Sequence, residues 1–110
     1  MSDIDLSTVD ASPLDIDDDM LDIIRALGSC KANWEDVGLY LHLKSSKLSE
    51  IKMSHPGDLS GCLRDTVQEW LRKNYNTAKF GDPSWRMIVE AVADVNNDLA
   101  KKIAAKHPGK

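Results

Sequence analysis

Leu63, Val67, Trp70 and Leu71 stand three and four residues apart, and Arg64, Asp65, Gln68, Glu69, Arg72 and Lys73 fill the gaps between them. That spacing is the period of an α-helix with a single apolar stripe. Such a stripe must lie on another apolar surface, so the segment predicts a helix at the centre of a packed helical domain. The same period recurs along the chain, and no stretch alternates with the period of a strand.

Five further segments fit this scheme. Met20, Ile23, Ile24 and Leu27 make the stripe of a first helix over residues 17–27, with Asp17, Asp18 and Asp19 at the positive end of its dipole and Gly28 as its stop. Asn33 is predicted to cap a second helix that turns Trp34, Val37, Gly38 and Leu41 inward. Ser45 or Ser46 is the expected cap of a short third helix burying Leu48 and Ile51. Pro56 and Gly57 mark a loop, after which Asp58 caps the fourth helix, expected to run to Asn74. Asp82 and Pro83 read as cap and first residue of a fifth helix with Trp85, Ile88, Val89 and Val92 inward. Residues 96–98 interrupt it and cap a sixth, which buries Leu99, Ala100, Ile103 and Ala104. The expected fold class is all-α, a six-helix antiparallel bundle in which the fourth helix faces Trp34, Leu41, Ile51 and Trp85.

Charge divides the chain. Residues 1–19 carry seven Asp and no Lys or Arg, whereas the remainder carries 14 basic and 11 acidic residues. The expected organisation is an acidic disordered tail over residues 1–17, one domain over 18–106 and a polar tail over 107–110. Ile4, Leu6, Val9, Leu14 and Ile16 are scattered without a period around Pro13. The alternative is that this leader folds on a partner or back onto the basic body. The body's charges are too balanced for the dense basic face of a nucleic-acid binder. No apolar run approaches the ~18 residues of a membrane helix, and no secretory leader pattern opens the chain. A cytoplasmic protein without membrane contact is therefore expected.

Catalytic constellations are not evident. His42, His55 and His107 lie in a predicted helix, a loop and a tail, without metal-ligand spacing. Cys30 and Cys62 are 32 residues apart with no CxxC, and read as reduced core residues. Neither a cofactor, a metal, a small-molecule substrate nor a catalytic residue is expected. Trp34, Trp70 and Trp85 fall on apolar stripes and read as core. The charged groups remain: Lys44, Lys47 and Lys52; Arg64, Arg72 and Lys73; Lys101, Lys102 and Lys106; and acidic groups at Glu35 and Asp36 and at Asp94 and Asp98. Opposite charges on different faces of one bundle suit head-to-tail contacts between domains.

The ordered segments NWEDVGLYLHL, LSEIK, LRDTVQEWLRKN, PSWRMIVEAV and NNDLAKKI together resemble the death domain, over about residues 18–106. Trp34, Leu41 and Leu43 match its second helix, Leu48 and Ile51 the third, Leu63 and Trp70 the fourth. Trp85, Ile88 and Val92 match the fifth, and Asp98, Leu99, Ala100 and Ile103 the sixth. The form is closest to death domains of invertebrate multidomain proteins. It departs at His42, where a small residue is common, and in the connector YNTAKFGD, which replaces a Pro-rich link. The resemblance implies a six-helix death fold and a non-catalytic adaptor in apoptosis or innate immune signalling. Its implied partners are other death domains, of its own kind or another. The implied interface residues are Glu35, Asp36, Lys47 and Lys52; Arg64, Asp65, Arg72 and Lys73; and Asp94, Asn97 and Asp98. A lone adaptor domain has nothing to recruit, so further domains in the parent protein are expected. The alternatives are a SAM-like or CARD-like helical module and, from another class, a helix-turn-helix nucleic-acid binder.

Overall fold

The computed structural model describes residues 4–109. Residues 1–3 of the expected tail, and Lys110, lie outside them. Six main helices form the domain: α1 (Ile16–Leu27), α2 (Trp34–Tyr40), α3 (Ser45–Ser54), α4 (Leu59–Leu71), α5 (Trp85–Ala93) and α6 (Asn97–Lys106). Short helical pieces join them. A 3-10 turn, Leu6–Thr8, precedes α1; a 3-10 stretch, Gly28–Asn33, links α1 to α2; and one α-helical turn, Thr77–Phe80, precedes α5.

The stripe of α4 lies where its period requires. Leu63, Val67, Trp70 and Leu71 are buried in one cluster with Trp34, Leu41, Ile51 and Trp85. α4 packs on α1, α2 and α3, while α5 and α6 share the most extensive helix–helix contact and α5 also meets α2. Trp70 is fully buried and donates its indole N–H to Met87 Sδ at 3.2 Å, which ties α4 to α5. Gly38 is required for close approach. A Cβ there would stand 2.6 Å from Leu48 Cδ2 and 3.1 Å from Thr66 Cγ2, so its absence lets α2 settle on α3 and α4.

Caps differ from expectation in four places, the first being Asn33, which stands at the cap position of α2 but makes no side-chain cap bond. Asp58 accepts from Gly61 N and Asn96 from Leu99 N as predicted, but α5 is capped by Ser84, which accepts from Met87 N. Pro83 lies before that helix and its carbonyl accepts the amide of Leu14 at 2.8 Å, leaving Asp82 free to meet Lys73. Lys44, not a serine, occupies the cap position of α3. Gly28 does not stop α1 in a left-handed turn; it is right-handed, and the chain continues into the 3-10 stretch.

The largest correction concerns the ends. Over residues 4–15 the expected disordered leader is a packed strap. Val9 is fully buried in the core, with Ile4, Leu6 and Leu14 against it. Arg86 of α5 holds the strap: its Nε donates to Val9 O at 3.2 Å, its Nη2 to Ser7 O at 3.3 Å and its amide to Asp10 O at 3.0 Å. The expected C-terminal tail meets the strap, with an isolated antiparallel bridge between Val9 and Pro108 and a bond from Asp10 N to His107 O. His107 stacks on Trp85 with ring centroids 3.6 Å apart. The radius of gyration, 13.0 Å, matches the ~13 Å of a fully compact domain of this length, which agrees with residues 4–15 and 107–109 being folded down. The physical reason is that burying Val9 and satisfying several backbone groups on one arginine offset the entropy of ordering a short segment. Folding back onto the body is the alternative that the leader's scattered apolar residues left open; without a period they do not show where the strap packs.

Two predictions follow from the strap. Val9→Ala lowers the stability of the whole domain by about 2 kcal/mol in urea unfolding, whereas a free tail would leave it unchanged. Burial pushes the pKa of His107 down from 6.5, with Lys106 acting the same way and Asp10 and Asp22 opposing. Folding thus favours neutral His107, so its stabilisation is complete above about pH 6.5 and is lost as the pH falls below that value. His42 shifts in the same direction, also through burial. His107→Phe, which keeps a ring against Trp85, should therefore remove part of the acid loss when denaturation midpoints at about pH 5.5 and pH 7.5 are compared.

Candidate interaction surface

The residues implied as interface groups divide into those the fold uses and those it leaves available. On α2 and α3, Glu35 and Asp36 are exposed in the first turn of α2. Lys52 Nζ lies 3.6 Å from Glu35 Oε1 and bridges the two helices. Lys47 is held by Glu50 at 3.1 Å, a hydrogen bond that raises the lysine's pKa. These pairs are solvent-exposed and add little stability, but they fix where the charges point. Lys47 and Lys52 do not form one patch: five residues turn a helix through about 140° beyond a full turn, so they face different ways.

On α4, Arg64 is exposed, whereas Asp65 lies 2.7 Å from His55 Nε2 and is partly buried. Asp65 thus anchors the loop before α4 more than it offers a docking group. Asp58 stands 3.9 Å from the other ring nitrogen. Cys62 is beside this pair, but its Sγ donates to the His55 carbonyl at 3.5 Å and not to the ring. Burial, aided by Asp58 and Asp65, pushes its thiol pKa up. A thiol so placed is kept from becoming a thiolate nucleophile. Among the described residues no group of three or more His, Cys, Asp or Glu is placed to hold a metal ion.

α4 ends at Leu71, three residues earlier than its sequence suggests. Asn74 N donates to Glu69 O at 3.2 Å and Lys73 N to Trp70 O at 3.0 Å, the paired bonds of a Schellman ending. Lys73 holds the left-handed position, φ 64°, that glycine usually takes. Arg72, 3.9 Å from Glu69, and Lys73, 3.6 Å from Asp82, therefore project from a turn at the end of α4. That turn faces the start of α3 across an open groove of about 700 Å³ lined by Lys44, Ser46, Lys47, Glu50, Lys73 and Tyr75. Tyr75 donates its hydroxyl to Gly81 O at 2.7 Å, and burial, with Asp82 nearby, raises its pKa to about 12. Sequence spacing could not place Lys44 opposite Lys73, since they stand 29 positions apart in the chain.

At the α5–α6 corner, Asp94 and Asp98 are exposed and make no ion pair with any described residue. Asn97 is different: it is partly buried, and its Oδ1 is sealed from solvent without a hydrogen-bond partner. It belongs to the packing of the corner and is a poor docking group. The sequence did not single out the stacked pair His42 and Phe80, with centroids 3.6 Å apart, which joins the end of α2 to the turn before α5.

No protein-family model, curated protein or solved structure matches the chain significantly. No helix among the described residues is long and apolar enough to cross a membrane. Its surface must therefore be read from its own geometry.

Lys73 tests that geometry. A non-glycine residue in the left-handed region is strained, so Lys73→Gly should stabilise the domain by roughly 0.5 to 1 kcal/mol in urea unfolding. If the lysine is kept for docking, the same variant should associate more weakly.

Proposed function

We propose that this chain is a non-catalytic interaction module of the death-domain type, which assembles signalling complexes in the cytoplasm through contacts with other death domains. The mechanism is proximity: domains that dock bring together whatever their parent chains carry and raise its effective concentration. One observation carries the reading. Unpaired carboxylates at Asp94 and Asp98 and exposed cations at Arg64, Arg72 and Lys44 are held by different elements of one rigid bundle. A surface of that kind is complementary to a second surface like itself, and contacts between unlike faces propagate into rings or open stacks.

The ordered resemblance along the chain supports the death-domain form of this reading. So do the three buried tryptophans at its matching positions. Helix lengths favour it over a SAM-like module, whose last helix is its longest; here α6 has 10 residues and α4 has 13.

Charge reversal tests it. Arg72→Glu and Asp98→Lys should each weaken association with the partner domain, or with the chain itself, at least roughly tenfold, with the far-ultraviolet circular dichroism unchanged. Light scattering against concentration and salt reads the association. Undiminished association in both variants would remove these faces from the contact, and lost helicity would show that the residues support the fold.

A further inference from the structure

The outward row of α1 reads Asp17, Leu21 and Arg25, four residues apart. Residues at this spacing stack along one helix face, so the row is about 12 Å long. Its two ends carry opposite charge. Its middle is a leucine 57% exposed, on a helix whose other face is buried against α4. Asp17, Asp18, Asp22 and Arg25 are all exposed, and none forms an ion pair with a described residue. At the basic end the fold adds to Arg25: a groove of about 180 Å³ brings it together with Ser29 and with Lys102 and Lys106 of α6. These lysines also lack an ion pair with any described residue.

We infer that this face of α1 docks a second copy of the same chain about a two-fold axis. The two α1 helices lie antiparallel with Leu21 on Leu21. Asp17 and Asp18 of each copy meet Arg25, Lys102 and Lys106 of the other.

The symmetry is written in the spacing. Leu21 is midway between Asp17 and Arg25, so an axis through Leu21 exchanges the two charges and pairs both at once. A parallel arrangement would set like charges side by side. Rows of residues four apart on one helix fit the grooves between the same rows on another, and this keeps the two charge rows alongside each other. Asp18 and Asp22 lie on the flank toward α6, in the same four-residue row as Ala26, which lines the groove with Lys102 and Lys106. The two-fold axis sets that flank beside its own copy, which carries Asp18 to the lysines of α6. The contact is isologous and closes at two copies. It uses none of the groups on α4 or the α5–α6 corner, so it goes beyond the docking reading above and does not depend on it. Charge sets the register and Leu21 supplies the apolar centre; a face this small makes a weak, salt-sensitive dimer.

The test is sedimentation equilibrium of the full chain up to about 1 mM, a range that detects contacts as weak as about 1 mM in Kd. A monomer–dimer equilibrium weakened by salt is expected. Leu21→Asp and Arg25→Asp should each reduce association at least roughly tenfold, and the exchange Asp17→Arg with Arg25→Asp should restore it. Circular dichroism checks that each variant folds. Leu21→Cys gives a second readout. The native Cys30 and Cys62 are buried, so under mild oxidation with copper phenanthroline it should form linked dimers faster than Met53→Cys, whose parent residue is 82% exposed. A wild-type chain that stays monomeric overturns the proposal. So does a dimer that survives both Leu21→Asp and Arg25→Asp, or cross-linking no faster at position 21 than at 53. If that surviving dimer is lost in Arg72→Glu, the α4 docking face is in use and the α1 face is not.

Discussion

Trp70 is the residue on which the arrangement rests. It is fully buried, and its indole reaches Met87 of α5 from a helix that also packs on α1, α2, α3 and the 3-10 stretch Gly28–Asn33. It is the largest fully buried side chain among the described residues, and sulfur is a weak but polarisable partner for its N–H. Because α4 contributes Leu63, Val67, Trp70 and Leu71 to the same cluster, the outer helices are arranged around it. Gly38 makes the arrangement tight by removing the one Cβ that would hold α2 away from Leu48 and Thr66.

The two ends of the chain close the remaining side of the core. Val9 plugs into the core, Arg86 collects three strap carbonyls, and His107 covers Trp85 before the chain bridges back to residue 9. The acidic opening segment therefore does structural duties. Asp5 accepts from Ser7, which lowers the carboxyl's pKa, and Asp15 caps α1 through Asp17 N and Asp18 N. Asp17, Asp18 and Asp22 are exposed, their carboxylates lie outside these cap bonds, and they are the acidic half of the α1 face. A run of like charge in sequence thus separates into caps and surface once the backbone is in place.

The same sorting applies to the implied interface. Asp65 is committed to His55, and Asn97 is turned into the α5–α6 corner. Glu35 with Lys52, and Lys47 with Glu50, are exposed pairs whose value lies in direction more than in stability. Arg64, Asp94 and Asp98 keep free charge, and Arg72 and Lys73 reach out from a strained turn. Residue type and helical period could nominate all of these; only their neighbours in space divide them.

What the sequence determined alone is the set of helices and the side of each that is buried. Trp34, Val37, Leu48, Ile51, Trp70, Trp85 and Ile88 are all buried as their spacing requires, because a 3.6-residue period and the transfer of apolar groups from water act locally and repeat. Tertiary structure alone decided the rest. It set the strap over α5, the early end of α4 and the use of Ser84 as a cap. It also placed Lys44 opposite Lys73 and Arg25 beside Lys102. Each of these depends on groups far apart in the chain meeting in space: hydrogen bonds and charge pairs have no period, and their partners are chosen only when the core has set the distances between helices.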